Sequence, residues 1–193
     1  MASPAAIPDA PPRSRWDGVR MSLGDFEALP EEKPYLEYFG GRVVQKAVPK
    51  RPHGKGQLRF GRRLEDFAER YGGDAWTEPT IYFDFLREPG YLVPDVAYWA
   101  PGKPQGDDDR SLPPTLAVEI RSKDQALSVL FAKCRLMRAN GVDVCWLIDP
   151  VAQNAYVFEG DHDGEPVGRA GILASPFLPS FEFRLDELWA AIG

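Results

Sequence analysis

The sequence predicts a mixed β-sheet flanked by helices, an α/β or α+β fold, in a single domain. Three observations carry this. Two long stretches repeat apolar residues at helical spacing, and short runs rich in β-branched and aromatic residues lie between and after them. Several of those runs are almost continuously apolar, as in Leu92–Trp99 and Leu116–Arg121, which marks strands buried in a sheet. The chain has 193 residues with 44% hydrophobic content, enough for one real core.

The elements follow in order. Residues 1–20, rich in Ala and Pro, read as a disordered arm, leaving 21–193 as the folded domain. Ser22 is placed to cap a short helix that runs to Leu29 and stops at Pro30. Tyr35–Phe39 and Arg42–Val48 flank Gly40-Gly41 and predict a hairpin. Pro49–Gly54 reads as a turn. From about Gly56, Leu58, Leu64, Phe67 and Tyr71 mark an amphipathic helix that Gly72-Gly73 ends. Three strands are expected at Trp76–Phe85, Leu92–Trp99 and Leu116–Arg121, with turns at Arg87–Gly90 and a polar loop over Pro101–Pro114. A second helix, Gln125–Asn140, carries Leu127, Leu130, Phe131, Cys134 and Met137 on one face. Strands at Val142–Ile148 and Asn154–Glu159 follow. A charged turn then reaches Gly168, short strands span Ile172–Leu185, and a terminal helix starts at Asp186.

Composition narrows the chemistry. No apolar run reaches the roughly 18 residues of a membrane span, so no membrane partner is expected. The start lacks a basic segment followed by an apolar core, so it does not read as a secretory signal, and the cytoplasm is the default location. Cys134 and Cys145 fall among apolar neighbours and read as buried free thiols. With two histidines besides, a closed zinc site is disfavoured and any metal should be oxygen-bound. The net charge of −6 argues against generic nucleic-acid affinity. Its distribution is uneven, however. Between Val43 and Leu64 no acid occurs, while Lys46, Lys50, Arg51, Lys55, Arg59, Arg62 and Arg63 all do. That run is either a solvated helix face with a charged loop or a phosphate-facing surface. Asp107-Asp108-Asp109 sits opposite in character, in the polar loop.

Two apolar runs are each interrupted by one acid. Asp95 follows Pro94 within Tyr91–Trp99, and Glu119 lies within Leu116–Ile120. A lone buried carboxylate costs several kcal/mol unless it finds a partner. Asp95 is a turn carboxylate or a ligand where a strand bends. Glu119 is a buried acid paired with a core cation or a ligand. If their strands are neighbours, the two could share one hard divalent cation. Arg121 lies two residues beyond Glu119, on the same face if the strand continues. Lys133 falls at the margin of its helix's apolar stripe, and Glu37 lies mid-strand in Tyr35–Phe39; both also have an ordinary surface reading. Neither a Gly-x-Ser-x-Gly elbow nor a phosphate-binding Gly-x-x-x-x-Gly-Lys loop is present. A carboxylate pair for glycoside hydrolysis remains compatible with the residues.

Pro94-Asp95, then Glu119-Ile120-Arg121, then the helix residue Lys133 resembles the PD-(D/E)XK nuclease superfamily. More closely, it resembles the Uma-type family of restriction endonucleases. Pro34–Gly41, Val44-Gln45-Lys46, His53 ahead of the long helix, Val118–Ser122 and Gly141–Pro150 extend the likeness over about residues 20–190. The resemblance implies a restriction-endonuclease-like core. It implies Glu37, Asp95 and Glu119 as acidic ligands of Mg²⁺ or Mn²⁺, and Lys133 as the catalytic lysine. Position 121 is Arg where the superfamily motif has Lys, so it would stabilise charge rather than act as a base. Lys133 would orient a water, or take its proton if burial depresses its pKa.

The expected function is therefore metal-dependent hydrolysis of phosphodiester bonds in DNA. Lys46, Lys50, Arg51, His53 and Lys55 are the nucleic-acid-binding candidates, and a homodimer is left open. The rivals are a binding module of the same fold with an inactive site, and a hydrolase that uses the same carboxylates on another substrate.

Overall fold

The computed structural model describes residues 13–83, 89–107 and 111–192. Its centre is a six-stranded mixed sheet in the order β10-β9-β8-β7-β6-β3. The strands are β3 (Asp74–Thr77), β6 (Val96–Trp99), β7 (Leu116–Ile120), β8 (Val144–Asp149), β9 (Asn154–Glu159) and β10 (His162–Val167). The pair β7–β8 is parallel, with Glu119 opposite Leu147, and the other pairs are antiparallel. β6, β7 and β8 are buried along their whole length, as their continuous apolar sequence requires.

The helices cover this sheet on both sides. On one face α2 (Arg51–Tyr71) and α4 (Leu185–Ile192) pack over Val96, Val118, Ile120, Trp146 and Ile148, with Phe60 stacked on Phe183 at 3.9 Å. On the other, α3 (Leu127–Ala139) lays Leu130, Cys134 and Met137 on Ala117, Cys145 and Leu147. A short hairpin of β11 (Ile172–Ala174) and β12 (Glu182–Arg184) leads into α4.

A second sheet, in the order β2-β1-β5-β4, lies beside α3. It consists of β1 (Leu36–Phe39), β2 (Arg42–Gln45), β4 (Ile81–Phe83) and β5 (Gly90–Leu92). Ile81, Phe83 and Leu92 join the α3 cluster, while Tyr38, Val43 and Tyr91 face α1 (Leu23–Glu27). Ser22 caps α1 as expected, its hydroxyl accepting from the Asp25 N–H at 3.2 Å.

Several expectations need correction. The single strand expected at Leu92–Trp99 is two, β5 and β6, in different sheets. Pro94 lacks the N–H that a continuous ladder needs. The same holds for Trp76–Phe85, which divides into β3 and β4 around Pro79 with Glu78 at φ +55°; Asp84 to Glu88 lie outside the described residues. α2 starts at Arg51, because Pro52 fits the first helical turn, where its missing N–H has no helical partner to lose. Its buried stripe is His53, Gly56, Phe60, Leu64, Phe67 and Ala68, so Leu58 faces solvent. Gly56 allows the close approach: a Cβ there would meet Ile120 Cδ1 at 3.3 Å. The expected charged turn before Gly168 contains β10, an edge strand whose charges discourage further pairing.

Of the arm expected over residues 1–20, Met1 to Pro12 lie outside the described residues. Residues 14–20 run along β2 instead. Gly18 N–H donates to the Val43 carbonyl, Val43 N–H donates to the Val19 carbonyl, both at 2.9 Å, and Trp16 packs into the α1 cluster. The exposed edge of β2 and one large aromatic supply what composition alone did not show. Asp108 and Asp109 of the polar loop also fall outside the described residues.

Candidate active site

The site forms where β5 ends in one sheet and β6 begins in the other. Val93-Pro94-Asp95 bridges the two. Asp95 N–H donates to the Val118 carbonyl at 3.0 Å, which seats Asp95 against the end of β7 beside Glu119. Asp95 Oδ2 accepts from Ile120 N–H at 2.7 Å and lies 3.0 Å from His53 Nε2 on α2. Asp95 Oδ1 lies 2.7 Å from Lys46 Nζ. Lys46 follows β2 directly, and its ammonium also donates to the Val93 carbonyl at 2.7 Å.

The second half of the site centres on Lys133 from α3. Its Nζ lies 2.6 Å from Glu37 Oε1 and 2.7 Å from Glu119 Oε1, and donates to the Val93 carbonyl at 3.2 Å. Glu37 Oε1 also accepts from Val93 N–H at 2.7 Å. At 2.7 Å from Lys133 Nζ, Glu119 Oε1 makes an ion pair and has no other partner among the described residues. Three carboxylates and two ammonium groups are thus gathered with one imidazole, and Glu37, Asp95, Glu119, Lys133 and His53 are each at least nine-tenths buried. They line a narrow cavity of about 30 Å³ with Val44, Gln125 and Val129. That volume admits one small ion or one water.

Electrostatics divides the acids. Burial would raise the Asp95 carboxyl, but the Lys46 ammonium and the His53 hydrogen bond outweigh it and hold Asp95 well below the usual carboxylate range. Burial dominates at Glu119: opposed by Lys133 and reinforced by Asp95, it pushes this carboxyl up to about 7. Burial would lower Lys133, yet Glu119, Glu37 and Asp95 together raise it above its ordinary value. Lys46 is raised in the same way, burial being overcome by Asp95. The condition under which Lys133 would take a proton, a pKa depressed by burial, is not met, because its pocket is walled by acids. As it stands, Lys133 is a protonated donor rather than a base.

Glu37, Asp95, Glu119 and Lys133 come together as the sequence suggested. Arg121 does not join them. β7 ends at Ile120, so the strand rule stops one residue short of it. Its Nη1 donates to Asp149 Oδ2 at 2.7 Å and its Nε to the Gln125 carbonyl at 3.0 Å. The five nucleic-acid candidates divide too. Lys46 and His53 are inside, on Asp95, rather than on a phosphate-facing surface. Lys55 donates to the Ala191 carbonyl at 2.8 Å. Lys50, at the start of α2, pairs with Asp124, and Arg51 is exposed in the first turn. The inward turn of Lys46 had a signal in the sequence. Counting back from Gly40-Gly41 sets Val44 opposite Glu37, and Lys46 follows on that same face.

Among the described residues, no group of three or more His, Cys, Asp or Glu is gathered as a finished metal cage. The donor chemistry still fits a hard divalent cation held by two carboxylates. Among the described residues, Glu119 Oε1 and Asp95 Oδ1 each meet a lysine tip, Lys133 and Lys46, and the cavity beside them has room for one ion. Mg²⁺ keeps several waters and needs few protein ligands. Glu37 is less available, since the contacted oxygen already accepts from Val93 and meets Lys133.

A larger open groove of about 810 Å³ lies elsewhere, between α1, β1 and the turn before β4. Glu27, Glu31, Glu32 and Glu78 line it, a rim that repels phosphate. The smaller cavity is preferred because the buried titratable groups converge there.

Comparison with known proteins gives a family and a fold. The family model described as "Uma2: Putative restriction endonuclease" matches residues 23–186. A crystal structure described as a putative nuclease belonging to DUF820, from Anabaena variabilis, superposes with a TM-score of 0.78 at 21% identity. The match covers 89% of this chain and 99% of that one. At that identity the likeness concerns the fold. No curated protein matches the chain.

Proposed function

Since the chain belongs to the Uma2 family, we propose that it hydrolyses phosphodiester bonds in DNA at the Asp95–Glu119–Lys133 cluster, with a divalent cation. The observation that supports this is the buried convergence of Asp95, Glu119 and Lys133 at the junction of the two sheets. Asp95 Oδ1 and Glu119 would hold Mg²⁺ or Mn²⁺. The ion, when bound, lowers the pKa of a water ligand and offsets charge on the phosphate. Ile120 N–H and His53 fix the other Asp95 oxygen and so fix the carboxylate plane. Lys133, protonated, presents its ammonium beside Glu119 to an oxygen of the water or the phosphate. Glu37 and the Val93 carbonyl hold that ammonium in place. Lys50 and Arg51, at a helix start with no acid in its first turn, supply charge toward the DNA backbone.

Purified protein should cut plasmid DNA with Mg²⁺ or Mn²⁺ and not with a chelator. Asp95→Asn should lose cutting and metal binding, and Lys133→Met should lose cutting while metal still binds. Cutting that persists in both variants places the activity elsewhere.

One observation favours a second reading, a non-cutting DNA-binding module. Each of the three acids is already in contact with a lysine, and Lys133 is protonated. DNA binding and metal binding without cutting of double-stranded, single-stranded or branched DNA would select it.

A further inference from the structure

The two oxygens of Asp95 are held in different ways. Oδ2 is fixed by rigid donors, the Ile120 backbone N–H and the His53 ring, both from secondary structure. Among the described residues, Oδ1 meets one group, the tip of the Lys46 side chain. Four methylenes separate that ammonium from the backbone just past β2, where Lys46 N–H donates to the Tyr35 carbonyl. The ammonium can withdraw without disturbing the strand. Nothing so movable stands at Oδ2. Its second anchor, the Val93 carbonyl, is shared with Lys133, so withdrawal leaves that carbonyl still accepting a hydrogen bond.

We propose that Lys46 is the resident counter-ion of the metal position: its ammonium occupies Asp95 Oδ1 until a divalent cation displaces it, and it then turns outward. Lys46 is thus a positioning residue that sets how tightly the ion binds, and it keeps Asp95 paired in the metal-free protein. The inference rests on Asp95 being a metal ligand.

The test uses the intact parent protein and Mn²⁺ alone. An amine-acylating reagent is applied with and without Mn²⁺, and modification at Lys46 is read by mass spectrometry. The side chain is about 10% exposed, so it should be protected without metal. Saturating Mn²⁺ should raise its modification several-fold. Direct Mn²⁺ titration should show Lys46→Met binding on the order of tenfold tighter than the parent, the low end of what one neighbouring charge does to a carboxylate. Lys46→Gln should show the same direction if the Met variant folds poorly. Lys46 that stays protected while Mn²⁺ binds, with that binding lost in Asp95→Asn, overturns the counter-ion inference alone. So does equal or weaker binding in both Lys46 variants. Failure of the parent to bind Mn²⁺, or binding unchanged in Asp95→Asn, overturns the metal reading as well.

Discussion

Replacing Glu119 by Gln should change how stability depends on pH. In the folded chain burial, with Asp95 nearby, carries the Glu119 carboxyl from an ordinary 4.5 to about 7. Between those values the unfolded chain has released its proton and the folded chain has kept it. Stability therefore falls as pH rises through that window, and the contribution is gone above about pH 7. Each pH unit between the two values is worth about 1.4 kcal/mol, so the loss is on the order of 3 kcal/mol. Gln cannot ionise and escapes it. Asp95, Lys133 and Lys46 stay out of the window. The depressed Asp95 contributes stability that is present above its ordinary value and lost only as pH falls below it. Lys133 and Lys46, raised, contribute stability present at all pH below their ordinary value. Urea unfolding of both proteins with a chelator, at about pH 5 and about pH 8, measures the difference. The stability of the variant relative to the parent should improve by about 3 kcal/mol from the lower to the higher pH. An equal difference at both, or a change of opposite sign, would refute the burial argument for Glu119.

Three further outcomes are expected. Arg121→Ala should lower stability by about 2 kcal/mol, through loss of its pair with the buried Asp149, and leave DNA cutting per folded molecule nearly unchanged; a large loss of cutting at full stability would return Arg121 to the site. Lys50→Glu with Arg51→Glu should weaken DNA binding and flatten its salt dependence, while thermal melting holds, since acids suit a helix start. Gly90→Ala should destabilise by about 2 kcal/mol in thermal or urea unfolding, because its Cβ would meet the Tyr38 carbonyl at 2.6 Å where β5 joins β1.

The core acids were legible because each interrupts an apolar run, and a buried charge stands out against such a background. Lys133 stood only at the edge of its helix's stripe, where an ordinary surface reading applies equally, and the family resemblance singled it out. What the sequence concealed was direction. Lys46 and His53 were grouped with a basic run by proximity along the chain, although strand parity and the helix period turn both inward. Arg121 was assigned by an alternation that ends with β7. The division into two sheets was written in Pro79 and Pro94, but a proline alone does not say that the chain leaves one sheet for another. That depends on which strands pair, and β5 finds β1, some fifty residues earlier in the chain.

The junction at Val93–Asp95 also has a mechanical meaning. Glu37 and Lys46 belong to the small sheet or its continuation, whereas Glu119, His53 and Lys133 are carried by the central sheet and its helices. The peptide of Val93 is gripped from both sides, its N–H by Glu37 and its carbonyl by the two lysines. A slight tilt of one sheet against the other would alter the Glu37–Lys133 and Lys46–Asp95 spacings together. Pressure applied to the hairpin of β1 and β2 would thus reach Asp95 through Lys46, and Glu119 through Glu37 and Lys133.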